Sequence, residues 1–262
     1  MRIIDFHTHI YPDSVALKAA EDVRSFYEGL GDKSIDGRVE TLLTHADRAG
    51  ITEFAILPVA TKPERTRHIN EFILREAAKQ PRFYGFGTVH AAMENLMDEV
   101  QFIKDHGLRG IKIHPDYQLF GIDDERMFPV YEEIQDKLPM VFHMGDLRYD
   151  HSHPARLRRV LKLFPKLQAV AAHFGGYQMR DIAREELSDT NCFFDTSSSL
   201  MFMEQGVAEE FIRHYGAERF LYGSDFPMWN PQTELQRFLQ LSLTDDEKEQ
   251  ITWKTAVALL KI

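Results

Sequence analysis

An eightfold alternation of short apolar runs with amphipathic stretches limits what this chain can fold into more than any other feature. The runs are Arg2–Phe6, Thr52–Val59, Arg82–Val89, Leu108–Ile113, Pro139–His143, Gln168–His173, Asn191–Thr196 and Arg219–Gly223. Between them, apolar residues recur at helical spacing, in stretches opened by prolines such as Pro63, Pro129 and Pro154 or closed by glycines such as Gly50, Gly107 and Gly216. Strands that alternate with helices predict parallel pairing, because each helical crossover returns the chain to the same end of the sheet. Eight such pairs in 262 residues predict an α/β fold, a single (β/α)8 TIM barrel domain over residues 1–262.

Composition supports a large packed core and narrows the partners. The chain is 44% hydrophobic and 27% charged, which is globular rather than disordered. A net charge of -10 is a poor match to a phosphate backbone, so nucleic acid is not expected as a partner. Cys192 is the one cysteine, which fits a reducing, cytoplasmic setting. No apolar run approaches the roughly 18 residues of a membrane span, so no membrane partner is expected either. Between the first two strands, Ala16, Ala20, Val23, Tyr27 and Leu30 form one helical stripe; an extra surface helix is expected here, with a lid over the barrel mouth as the alternative. Thr244 and Glu247 form a capping box that opens a last helix running to Lys261.

The chemistry gathers where strands end. In the opening stretch MRIIDFHTHI, Asp5, His7 and His9 recur at every second position, so all three leave an extended backbone on one side. Further polar residues stand at later strand ends: Lys112 and His114 at the fourth, His143 at the fifth, His173 at the sixth and Asp225 at the eighth. One histidine after a strand is commonly a loop residue. Its recurrence at matching ends, where a parallel barrel builds its site, predicts a metal centre for zinc, or for manganese or iron. Around it Tyr117, Phe120, Phe226 and Trp229 offer faces for a flat substrate or pack the rim, and Arg148 offers a guanidinium for a carboxylate or for an ion pair. His151-Ser152-His153 repeats the His-x-His spelling, but it precedes Pro154 and is expected to cap a helix.

The motifs IDFHTHIYP, GIKIHP, VFHMG, AAHFGG and YGSDFP, in this order across nearly the whole chain, resemble the amidohydrolase superfamily. The likeness is to its amidohydrolase-related branch, which holds metal-dependent hydrolases and aromatic-acid decarboxylases. The resemblance implies one divalent metal held by His7, His9, His143 and Asp225, with His173 beside it as a catalytic acid or base. It also implies a distorted barrel and cytoplasmic homodimers. Other branches use a carbamylated lysine to bridge two metals; in this branch the lysine equivalent to Lys112 lines the strand end, so one metal is expected. Thr255-Ala256 stands before Leu259-Leu260 where relatives often read Asn-Ala, so a buried polar anchor is expected to differ. Asp5 lies two residues deeper than His7 and is expected to fix a ligand imidazole.

Two reactions fit these residues. The first is hydrolysis of a small cyclic ester or amide, or a similar C–N or C–O bond, by a metal-activated water whose proton Asp225 accepts and whose leaving group His173 protonates. The second is non-oxidative decarboxylation of an aromatic or unsaturated acid at the same metal. In either case the substrate is a small molecule, met by Lys112, His114, Tyr117, Arg148, Phe226 and Trp229. A metal-dependent deoxyribonuclease would need a glutamate at the fourth strand, where this chain has Lys112, and its substrate would be repelled by the net charge.

Overall fold

The structure, a computed structural model, describes residues 2–204 and 206–262. All eight expected strands are present: β1 (Ile4–Thr8), β2 (Glu53–Ile56), β3 (Phe83–Gly85) with β4 (Gly87–Thr88), β5 (Ile111–Ile113), β6 (Met140–Phe142), β7 (Ala169–Ala171), β8 (Phe193–Asp195) and β9 (Phe220–Leu221). The third expected strand is broken at Phe86 into β3 and β4. Most of the others are shorter than the apolar runs that announce them, because parallel pairing ends where the loops toward the functional residues begin. The chain divides into two compact units, residues 1–56 with 196–256, and residues 57–195 with 257–262.

In the first unit β1 pairs in parallel with β2, with Ile4 opposite Glu53 and Asp5 opposite Phe54. Every β1 residue is buried, so Ile4 and Phe6 fill the core while Asp5 and His7 project together from the opposite face. The segment after β9 lies along the same strand: Phe6 N donates to Tyr222 O (2.7 Å), Asp225 N to His7 O (2.8 Å) and His9 N to Phe226 O (2.7 Å). Helix Val39–Ala49 ends at Gly50, whose φ of 74° is the left-handed cap that glycine takes without a Cβ penalty. The stretch between the first two strands forms helix Ala16–Phe26, and its buried Arg24 donates to Asp32 O (3.2 Å) and Ile35 O (3.0 Å). Asp32 N then donates to Met228 O (2.7 Å), which ties this insertion to the loop that carries Asp225.

The second unit contains the continuous parallel ladder β4–β5–β6–β7–β8, with Ile111, Met140 and Ala169 in successive register. β6 and β7 are apolar on both faces, as in sheets covered by helices, while Thr88, Lys112 and Asp195 are buried polar residues on β4, β5 and β8. Two motif glycines lie where backbone meets backbone. A Cβ on Gly145 would sit 2.5 Å from Gly176 Cα, and the loops are locked by Tyr177 N to Met144 O and Gln178 N to Gly145 O, both 2.8 Å. The VFHMG and AAHFGG motifs are thus two sides of one close approach, and glycine is what allows it.

Near the C-terminus the capping box forms as expected, with Thr244 and Glu247 each satisfying the other's backbone N–H. The helix is interrupted by a π turn at Gln250–Lys254 before Thr255–Leu260. Thr255 is buried; its hydroxyl donates to Glu218 O (3.3 Å) and accepts from Gln250 (3.0 Å), supplying the polar anchor. Among the described residues no helix is long and apolar enough to cross a membrane.

Candidate metal centre

In the first unit three groups converge. Asp225 Oδ1 lies 3.3 Å from His9 Nε2 and 3.6 Å from His7 Nε2, and the two imidazoles meet edge to face at 5.1 Å. One ligand atom from each of the three residues lies within 4.8 Å of the others. Two nitrogens and one carboxylate oxygen at this separation fit a divalent cation bound at about 2.0–2.2 Å, with positions left over for other ligands. The His7 and Asp225 side chains are nearly buried, and His9 retains 16% exposure, so the triad has a path outward.

Local contacts hold two of the three side chains. His7 Nδ1 lies 3.1 Å from Ser197 Oγ, which leaves Nε2 for a metal. Asp225 Oδ2 accepts a hydrogen bond from Ser198 Oγ, and that hydroxyl accepts in turn from Trp229 Nε1 at 2.8 Å. Asp225 and Ser198 have φ of 61° and 49°, left-handed conformations that non-glycine residues adopt at a cost of about 1–3 kcal/mol and that cluster at functional sites. Asp5 does not fix an imidazole as expected from the sequence. Its Oδ1 accepts from the backbone N–H groups of Ser224 (2.9 Å) and His7 (3.3 Å), so it braces the two backbones that carry His7 and Asp225. Asp5 Oδ2 has no hydrogen-bond partner among the described residues, and burial pushes the carboxyl up to about 7.

The second unit brings together His114, Asp116, His143 and His173. His143 Nδ1 lies 3.0 Å from His173 Nε2, and its other nitrogen lies 3.9 Å from Asp116 Oδ2. His114 stacks on His143 with centroids 3.7 Å apart and planes 8° from parallel. Asp116 accepts from Ser152 Oγ (2.6 Å) and Ser152 N (3.2 Å), and burial still raises its carboxyl to about 6. His173 is held in a left-handed backbone, φ 61°, by Asp195 Oδ1, which accepts its N–H at 3.0 Å. Gln118 ties three strand-end loops together: its carbonyl accepts from His114 N (2.8 Å), and its amide donates to Ala60 O (2.9 Å) and Val89 O (2.8 Å).

The expected substrate contacts divide. Lys112 is buried on β5, His114 caps the short helix Pro115–Gln118, and Tyr117 is half-buried with its ring edge-on to His114 at 5.2 Å. Trp229 is half-buried beside Phe202. Phe226 is a correction: its side chain has no exposed surface and fills core, leaving no face for a substrate. Arg148 is a second, since its guanidinium grips the buried Asp146 with Nε to Oδ1 at 3.0 Å and Nη2 to Oδ2 at 2.7 Å, the ion-pair alternative. His153 caps helix Pro154–Leu163 through Nδ1, as its place before proline suggested. Sequence reasoning missed Asp116, Ser152, Asp195, Ser197 and Ser198. The run Asp195-Thr-Ser-Ser-Ser199 directly after the seventh strand is the one signal that pointed to three of them.

Known proteins share the fold and identify the family. The chain shares its fold with an uncharacterized TIM-barrel protein from Bordetella bronchiseptica, at 22% identity, a TM-score of 0.82, and coverage of 100% of this chain and 99% of that one. A 5-carboxyvanillate decarboxylase from Sphingomonas paucimobilis superimposes with a TM-score of 0.79 at 17% identity, over 100% of this chain and 99% of the other. A dihydroxybenzoic acid decarboxylase from Polaromonas sp. JS666, solved with manganese and the inhibitor 2-nitroresorcinol, gives 0.77 at 19% identity over 99% and 97%. The fold is therefore that of the TIM barrels, with α/β alternation and parallel strands. A family model described as Amidohydrolase matches residues 4–262, and the chain belongs to that amidohydrolase family.

Proposed function

We propose that this protein is a metal-dependent, non-oxidative decarboxylase of an aromatic or similarly unsaturated carboxylic acid. One observation carries the choice between the two reactions. Hydrolysis asks Asp225 to take a proton from water, but Asp225 Oδ1 faces the Nε2 atoms of His7 and His9, and Oδ2 already accepts from Ser198. A carboxylate with both oxygens so engaged is suited to holding a cation and poorly suited to acting as a base. The names of two similar structures, both decarboxylases of hydroxylated aromatic acids, support the same reading.

In this reading His7, His9 and Asp225 hold one divalent cation, manganese or zinc. When bound, it supplies positive charge that draws in a carboxylate and offsets negative charge as the reaction proceeds. In the first unit Trp229 offers an aromatic face to a flat ring. His143 Nδ1 and His173 Nε2 lie 3.0 Å apart and share one hydrogen, which orients His173 as the acid, and His173 regains from water the proton that it delivers. From His173 a proton passes to the ring carbon as the bond to the carboxyl carbon breaks and its electron pair stays with the ring. The products are CO₂ and the arene bearing a new C–H bond.

The test is a panel of hydroxylated benzoic acids and other aromatic acids, run beside lactones and cyclic amides with manganese- or zinc-loaded protein. CO₂ release, with one deuterium placed at the vacated carbon in D₂O, is the expected result. Water uptake without CO₂ overturns the proposal in favour of the hydrolase.

A further inference from the structure

We infer that Ser198 and Trp229 form a positioning relay that makes Asp225 a one-oxygen metal ligand, an inference that rests on the metal site proposed above. Its direction follows from the chemistry of the groups. An indole N–H only donates, so Trp229 Nε1 must donate to Ser198 Oγ across their 2.8 Å contact. The hydroxyl has one hydrogen, and it goes to Asp225 Oδ2. Oδ2 is thereby held by the relay while Oδ1 faces the Nε2 atoms of His7 and His9 at 3.6 and 3.3 Å. Binding a metal through both oxygens would require Oδ2 to give up the hydroxyl.

The loop is built around this contact. Ser198 is 6% exposed and sits at φ 49°, a conformation that favours glycine. A serine there accepts backbone cost for the sake of its hydroxyl. Its neighbour Ser197 holds His7 Nδ1 at 3.1 Å, so two adjacent serines orient two of the three ligands in this unit. Ser199 Oγ donates to Ser197 O at 2.9 Å and Phe202 meets the Trp229 ring edge-on at 6.0 Å, which fixes both ends of the relay.

The experiment titrates Mn(II) into metal-free protein, reading the free ion by electron paramagnetic resonance, and records the thermal midpoint of each metal-free variant. Ser198→Gly relieves the left-handed backbone and deletes the hydroxyl together with its Cβ. It should keep or raise the midpoint and weaken Mn(II) binding about 10- to 100-fold, the usual cost of removing a ligand's hydrogen-bond partner. Ser198→Asn tolerates a positive φ and restores an N–H donor, and should bring affinity back toward that of the parent. Trp229→Phe, which keeps an aromatic ring but is smaller and has no N–H, should weaken binding less than Ser198→Gly. If Ser198→Gly binds Mn(II) as tightly as the parent while His7→Ala does not bind it, the relay is refuted and the metal site stands. If His7→Ala binds like the parent, the metal site itself is refuted.

Discussion

Glu234 allows a quantitative test of how this interior handles charge. It lies in the first turn of helix Pro231–Leu239, with 2% of its side chain exposed, Oε1 paired with Arg237 and Oε2 without a hydrogen-bond partner among the described residues. Burial raises its carboxyl from 4.5 to about 7, against the opposing pull of Arg237. Below pH 4.5 the group is protonated whether the chain is folded or not, and it contributes no pH dependence. Between 4.5 and about 7 the folded protein holds the proton more tightly than the unfolded chain, so stability falls as pH rises; above 7 the loss is complete. At about 1.4 kcal/mol per pH unit the loss comes to about 3 kcal/mol. Glu234→Gln keeps the shape and removes the titration. Its lost ion pair and unpartnered amide shift stability by an amount that does not depend on pH. Asp5 and Asp116, which also titrate late, are common to both proteins and cancel. Urea unfolding in chelator-treated buffer, followed by circular dichroism from pH 4.5 to 8, should show the variant gaining on the parent by about 2–3 kcal/mol across that range. A difference that stays constant with pH would refute the argument that burial, rather than the Arg237 pair, governs this carboxyl.

Three further outcomes are expected. Asp225→Asn should lose metal binding and turnover while its far-ultraviolet circular dichroism matches the parent, and full turnover in this variant would exclude Asp225 from the site. Gly145→Ala forces a Cβ to 2.5 Å from Gly176 Cα at φ +75°, where neither backbone can yield cheaply. It should cost on the order of 3 kcal/mol in a denaturant melt. Cys192 has no exposed surface, so a thiol reagent should label the native protein only as fast as it unfolds, and rapid labelling without denaturant would contradict this packing.

Much of the fold could be read from the sequence because its signals are local. Helix Val207–Tyr215 with its closing Gly216, the capping box at Thr244 and the glycine cap at Gly50 are set by residues within a few positions of one another. His7, His9 and Asp225 were legible because imidazoles and a carboxylate at strand ends are a distinctive chemical set. The residues that hold them were not, since Ser197 reaches a histidine 190 positions away and Asp116 meets a serine 36 positions on. Serine and aspartate after a strand are ordinary loop residues until tertiary contact gives them a partner. Asp5 was assigned to an imidazole because it shares a face with His7, and only the return of the chain beside β1 shows that its carboxylate serves backbone N–H groups instead. Phe226 illustrates the opposite problem: adjacency to a ligand in sequence says nothing about which way a side chain turns.

The pairing of β1 with the segment after β9 also has a consequence for how the protein is made. Asp5 meets Ser224 across 219 positions, so the ligand triad cannot exist until nearly the entire chain has been synthesised. The parallel ladder β4–β8, drawn from one continuous stretch, can pair earlier, since its crossovers are short. During translation His7 and His9 are the first potential ligands to emerge and the last to be completed. Under the proposed metal site, a cation gains its carboxylate partner only once Asp225 has been made.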